Sequence, residues 1–221
     1  MFLHAGEAAM DTRVERLSAV EQLADAIIPT PEGPYRMVVF LEPATGREHV
    51  AMVMGEVAGR TVLARIHSEC MTGDLFGSLR CDCGDQLAAA RAMIAAEGAG
   101  VILYLRQEGR GIGLANKLRA YRLQDQGMDT VEANLHLGLP ADMRSFDVAA
   151  EMLAALRIPA VRLMTNNPRK LDTLAKAGIR VAGRVPVKSQ PRPENRHYLE
   201  TKAAKLGHRL DWLATARESP I

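Results

Sequence analysis

The chain has 221 residues, 48% of them hydrophobic, which is enough to bury a real core in one large domain or two small ones. Its 28 lysines and arginines against 26 acidic residues leave a net charge of +2, so a general nucleic-acid-binding surface is not supported and any anion must be met by a local cationic cluster. The first ten residues carry no cationic stretch leading into an apolar run, and no run of eighteen apolar residues occurs, so the sequence predicts a cytoplasmic protein without membrane contact.

In chain order, Val14, Leu17, Leu23 and Ile27 recur at near-helical spacing among Arg13, Glu15, Arg16 and Glu21, which predicts an amphipathic helix in an N-terminal extension, residues 1–30. Pro29, Pro31, Gly33 and Pro34 end it. Three β-rich runs follow at residues 35–42, 49–57 and 61–67, separated by turn-forming Pro43 to Gly46 and by Ala58-Gly59, and predict an antiparallel meander. Beyond Cys83 the pattern alternates: helix 86–96, strand 100–106, helix 112–126, a polar stretch, helix 145–156, strand 161–164, helix 169–177 and strand 179–185. A final helix is predicted over 198–206. The predicted fold is α/β of mixed α+β character, in which the meander leads into alternating layers and a mixed sheet is flanked by helices. Ligands then collect at the carboxyl ends of the strands.

The chain's only cysteines, Cys70, Cys81 and Cys83, fall within fourteen residues of sequence. In a reducing cytosol they stay thiols, and three thiolates suit a soft tetrahedral metal such as zinc, leaving a fourth corner for water as catalytic sites do. Cys81-Asp82-Cys83 is expected to place two thiolates on one side of an extended backbone. Other readings stay open: three buried thiols, or a structural zinc with His67 as fourth ligand. His67-Ser68-Glu69 is similar to the His-x-Glu of zinc deaminases, but the Pro-Cys-x-x-Cys that follows there is absent. Glu69 is either a proton carrier beside the metal or a solvated loop carboxylate.

Two strand-to-helix turns are candidate phosphate seats. Gln107-Glu108-Gly109-Arg110-Gly111-Ile112-Gly113 lets backbone amides approach an anion, although Leu114 stands where a dinucleotide fingerprint needs glycine and no Walker A ending is present. Thr165-Asn166-Asn167-Pro168-Arg169-Lys170 offers a helix cap and two cations for a triphosphate. Arg65, Arg80, Arg110 and Arg144 add further positive charge. Between the turns, Asp129, Glu132, Asn134 and Asp142 are candidates to read the donor edge of a guanine, without a choice among them.

Together, His67-Ser68-Glu69-Cys70, Arg80-Cys81-Asp82-Cys83-Gly84, Arg106 to Gly113, Val131-Glu132-Ala133-Asn134 and Thr165-Asn166-Asn167-Pro168 closely resemble the motifs of GTP cyclohydrolase II, from about Val57 to Lys205. The segment before Tyr35 adds nothing to this likeness. The resemblance implies a single catalytic domain at 31–205 with a C-terminal tail at 206–221. It also implies hydrolysis of GTP at guanine carbon 8 with release of formate and pyrophosphate, the first step of riboflavin biosynthesis. One zinc per subunit on Cys70, Cys81 and Cys83, magnesium on the triphosphate and a homodimer are implied as well. Carried over by motif, substrate contacts fall on Arg65, Ile66, His67, Ser68, Glu69, Gln86, Glu108, Gly109, Arg110, Thr130, Thr165 and Lys170. Asp142 is the family's proton acceptor, Arg144 its phosphate-attacking residue and Tyr121 its catalytic tyrosine. A guanidinium stays protonated, so an electrostatic clamp is the simpler role for Arg144. Most of the family has tyrosine where this chain has Met128. A missing hydroxyl there gives an alternative in which the ring opens but the formyl group is retained. A further alternative is a zinc-stabilised nucleotide-binding module without turnover.

Overall fold

A computed structural model of the chain describes residues 20–215. Strands β1 (Glu21–Thr30), β2 (Gly33–Glu42) and β3 (Arg47–Met54) run antiparallel, and β4 (Thr61–Ser68) follows. A single helical turn, α1 (Met71–Asp74), leads to α2 (Cys83–Glu97) and β5 (Gly100–Leu105). A 3₁₀ turn at Glu108–Gly111 precedes α3 (Leu114–Gln124), α4 (Thr130–His136) and α5 (Asp147–Ala155). Then come β6 (Ala160–Met164), α6 (Pro168–Lys176), β7 (Arg180–Val185), α7 (Pro193–Leu206) and α8 (Trp212–Thr215). The seven strands form one mixed sheet in the order β1-β2-β3-β5-β4-β6-β7, as the α/β expectation requires.

Two expectations are corrected. Over Glu21–Thr30 the chain is a strand, not a helix, and pairs with β2 from Glu21 opposite Leu41 to Thr30 opposite Gly33. Leu23 and Ile27, 45% and 64% exposed, bury no helical stripe, so their spacing reported nothing about periodicity. Val14 and Leu17 lie outside the described residues. The meander also stops at β3, because β5 inserts between β3 and β4. It pairs antiparallel with β3, Ala51 opposite Leu103, and parallel with β4, Ile66 opposite Leu103.

Alternation along β4 and β5 assigns the two faces of the sheet. Val62, Ala64, Ile66, Val101, Leu103 and Leu105 point into a core closed by Phe146, Met152 and Leu153 around α5 and by Leu174 of α6. Leu63 and Ile102 point the other way, against Ala90 and Ile94 of α2. Beneath these layers β4, β5 and β6 lie parallel in the centre, so their carboxyl ends open on the same edge. No helix among the described residues is long and apolar enough to cross a membrane. Leu103 is fully buried at the centre of the larger core. Leu103→Ala is therefore expected to destabilise the protein by about 2–5 kcal/mol, read as a lower denaturant midpoint with unchanged slope.

Candidate active site

At the end of β4 the chain passes through Glu69 to Cys70, and α1 turns it back towards α2, whose first residue is Cys83. The three Sγ atoms, from Cys70, Cys81 and Cys83, all lie within 4.8 Å of one another, with Cys70 and Cys81 3.6 Å apart. Two sulfurs at about 2.3 Å from a tetrahedral zinc stand about 3.8 Å apart, so the donor set fits that ion. The turn at Asp82, with φ −107° and ψ 15°, is not extended; the thiols converge because α2 begins there. Gly73 makes the room: a Cβ on it would stand 2.9 Å from Cys81 Sγ and 3.2 Å from Cys70 Sγ. Among the described residues no histidine or carboxylate joins this cluster. His67 is instead stacked on Tyr104 with centroids 5.5 Å apart, and its Nε2 meets Asp74 at 3.1 Å.

The cluster carries its own charge compensation. Lys117 Nζ donates to Cys70 Sγ at 3.1 Å and to Glu108 Oε1 at 2.8 Å, with both charged side chains 10% exposed. Hydrogen bonds from the Cys81 and Cys83 thiols, with Lys117 beside them, hold the Cys70 thiol far below its ordinary value. Bonding to that thiolate, reinforced by burial, pushes Cys81 up to about 11 and Cys83 well above the ordinary thiol range. A thiophilic cation bound among the thiols would displace the protons that these bonds share. Asp74 fixes the loop by accepting from Cys70 N at 3.0 Å and from the Tyr104 hydroxyl at 2.9 Å.

Two adjoining cavities share Ser68, Cys83, Arg110, Arg144 and Tyr198 as walls. The first contains the thiols and is lined also by Glu69, Glu108, Gly109, Lys117, Tyr121, Thr130 and Asn134. The second is cationic: Arg65, Lys170 and Lys202 face it with Arg110 and Arg144. Gly109 and Arg110 both adopt the left-handed conformation, at φ 62° and 61°. For arginine that is strained backbone, and it carries a guanidinium whose two terminal nitrogens are buried without a partner among the described residues. Such nitrogens are costly to bury unless an anion meets them. Burial, with Arg65, Arg144 and Lys202 nearby, also drives the Lys170 ammonium well below its ordinary pKa. It donates a hydrogen bond to Ile66 O at 2.8 Å.

Asp142 and Arg144 form a fork, with Arg144 Nε donating to Oδ1 at 2.9 Å and its terminal nitrogen to Oδ2 at 2.8 Å. Burial alone would raise the Asp142 carboxyl, but the arginine bonds hold it below the ordinary range. Burial pushes the Tyr121 hydroxyl up to about 12, so it is protonated at neutral pH. Thr165 accepts from Asn167 N at 3.0 Å, and Asn167 caps α6 by accepting from Arg169 N at 3.0 Å. Buried Gln86 bridges Arg65 and Asp82. Ile66 contributes its carbonyl, while its side chain belongs to the core.

Several cations and carboxylates named from sequence go elsewhere. Arg80 pairs with Asp125 at 2.7 Å, and Arg169 binds Asp142 and the Arg144 carbonyl, so neither lines the cationic cavity. Asp129 and Glu132 are spent on a capping box for α4 and on Lys205, which leaves Thr130 and Asn134 as the cavity-facing members of that motif. Met128 is half-buried in the turn before α4 and lines neither cavity. Sequence reading missed Gly73, Asp74, Lys117, Tyr198 and Lys202. The Asp129-x-x-Glu132 pattern was a legible capping signal for α4, whereas nothing local marks Lys117 as the partner of a cysteine 47 residues away.

A thiol cluster beside a cation-lined cavity, at the carboxyl ends of parallel strands, defines an enzyme that acts on an anionic substrate. The family profile described as GTP cyclohydrolase II matches residues 21–186. GTP cyclohydrolase-2 of Escherichia fergusonii is 58% identical over 192 residues, covering 86% of this chain and 97% of that one. Those of Proteus mirabilis and Klebsiella pneumoniae are 57% and 56% identical, covering 86% and 87% of this chain and 96% of each relative. Among solved structures, RibBX, a two-domain 3,4-dihydroxy-2-butanone 4-phosphate synthase from A. baumannii, is 19% identical with a TM-score of 0.43. That match covers 78% of this chain and 41% of the other. The chain belongs to the GTP cyclohydrolase II family of hydrolases. The family match starts at residue 21, upstream of the motifs that carried the likeness in sequence.

Because Gly73 has no space for a side chain, Gly73→Ala is expected to weaken zinc binding by about 10- to 100-fold. Competition with a chromophoric chelator on the folded variant checks this; unchanged affinity would mean that the three thiols do not close on the metal as a unit.

Proposed function

We propose that this enzyme is a zinc-dependent GTP cyclohydrolase II. It hydrolyses GTP at guanine carbon 8, releases formate and pyrophosphate, and forms 2,5-diamino-6-ribosylamino-4(3H)-pyrimidinone 5′-phosphate, the entry to riboflavin biosynthesis in the cytoplasm. The single observation that carries the reading is that the three-thiol cluster adjoins a cationic cavity, with Arg110 on their common wall keeping two buried terminal nitrogens unpartnered among the described residues. A base in the first cavity and a triphosphate in the second then place carbon 8 near the sulfurs. Zinc held by Cys70, Cys81 and Cys83 supplies Lewis acidity for activating water.

The chain's own residues do the rest. Arg110, Lys170 and Arg65 hold the phosphates, and an anion there restores the Lys170 ammonium that burial disfavours. Thr130 and Asn134 offer the base hydrogen-bonding groups at the wall of the first cavity. Tyr121, protonated at neutral pH beside the cluster, donates a proton to the opening ring. Glu69, on the same wall, orients water and accepts its proton. Arg144, locked in its fork with Asp142, clamps phosphate rather than attacking it, and Asp142 keeps that fork aligned. Magnesium accompanies the triphosphate, and the working form is a homodimer.

Purified protein given GTP, zinc and magnesium is expected to release formate and pyrophosphate in equal amounts, with the product mass of the deformylated pyrimidinone. Pyrophosphate without formate would replace that product by the formyl-retaining one. No turnover at all would leave a binding module. Arg144→Lys, which keeps charge but loses the fork, is expected to lower kcat/KM by about 100-fold. A full-rate variant would contradict the clamp.

A further inference from the structure

The family match ends at residue 186, yet the helix that follows sets Tyr198 on the walls of both cavities and Lys202 on the wall of the cationic one. Lys202 Nζ donates to Asp82 Oδ1 at 2.6 Å, with the two side chains 10% and 0% exposed. Asp82 stands between Cys81 and Cys83, and its other oxygen accepts from Ser189, just upstream of α7, at 2.9 Å. Gln86 bonds the same oxygen and passes the connection to Arg65, which donates to Met164 O at 3.0 Å. Lys205 reaches the capping box of α4, and Arg192 forks onto Asp85 at 2.6 and 3.2 Å. Leu199 is fully buried beneath.

Tyr198, one turn before Lys202, is a wall common to both cavities. The Lys202 ammonium stands 4.5 Å and the Arg110 guanidinium 5.7 Å from the centroid of the Tyr198 ring. Cations over an aromatic face are held there without spending their hydrogen bonds, so the ring orients Arg110 and leaves its terminal nitrogens for an anion.

We propose that α7 is a working wall of the active site, in which Tyr198 positions the nucleotide where the two cavities meet and Lys202, through Asp82, holds the turn that carries two of the metal-binding thiols. The nucleotide half rests on the function proposed above; the metal half does not. A buried carboxylate between two ligands needs a fixed counter-charge to keep one conformation, and partners of this kind outside the ligand set commonly change metal affinity 10- to 100-fold.

Two equilibrium measurements, neither requiring turnover, test this on the full chain. Tyr198→Ala is expected to weaken binding of a non-hydrolysable GTP analogue by about tenfold or more in the folded variant, while Tyr198→Phe binds within about twofold of the wild type because the ring is kept. Lys202→Met is expected to weaken zinc in chelator competition by about tenfold or more, and Lys202→Arg to recover most of it. If Lys202→Met does not fold, the double variant Lys202→Met with Asp82→Asn removes both charges and is expected to show the same loss of zinc affinity. Analogue binding unaffected by Tyr198→Ala, or zinc held as tightly as in the wild type when Lys202 is replaced, would overturn the proposal. Absence of GTP hydrolysis by the wild type would overturn the proposed function instead, leaving the zinc result intact.

Discussion

Three sulfur atoms within 4.8 Å of one another in a mostly buried pocket set the problem that the surrounding structure solves. Their charges repel at low dielectric, so the cluster needs either a cation in its middle or protons on two of its members. Lys117 supplies one compensating charge, and Glu108 keeps that lysine in place. Glu108 also accepts from Met71 N and Gly109 N, each at 2.7 Å, so one carboxylate ties the loop after Cys70 to the turn that carries Arg110. Whatever positions the thiols therefore positions the cationic cavity too.

The sheet makes that coupling geometrically cheap. Its antiparallel half, β1 to β3, adds surface for the core, while its parallel half turns the ends of β4, β5 and β6 to one edge. Cys70 follows β4, Glu108 and Arg110 follow β5, and Thr165 to Lys170 follow β6. Helices α2 and α5 press on opposite faces and prevent these ends from separating. Burial of Leu103, Ile102 and their neighbours thus acts on the site by fixing the spacing of three loops.

Reading the sequence recovered most elements beyond residue 83, because glycine stops, proline starts and apolar runs are local signals. It failed where the deciding contact was distant or where no face was buried. Leu23 and Ile27 sit on an edge strand exposed along its length, so the apolar spacing carried no burial information. The turn at Ala58-Gly59 has the composition of a hairpin, but the strand that pairs with β3 arrives only after α2. For the site, residue types and motif order named the thiols, Arg110 and Lys170. They could not separate Arg110, which enters the cavity, from Arg80, which pairs with Asp125 outside it.

The sequence by itself determined the donor set, the two glycine- and proline-marked turns, the family resemblance and the alternation that makes the sheet mixed. These depend on residue identity and near-neighbour spacing, which the chain carries before it folds. Only the tertiary structure decided which charges are paired and which remain for a ligand. Asp82 with Lys202, Cys70 with Lys117 and Gln86 with Arg65 are separated by 120, 47 and 21 residues, and pairing across such distances is fixed by how sheet and helices pack. Packing likewise turned Gly73 from an ordinary loop residue into the space that three thiols require, since steric exclusion exists only between groups that folding has brought together.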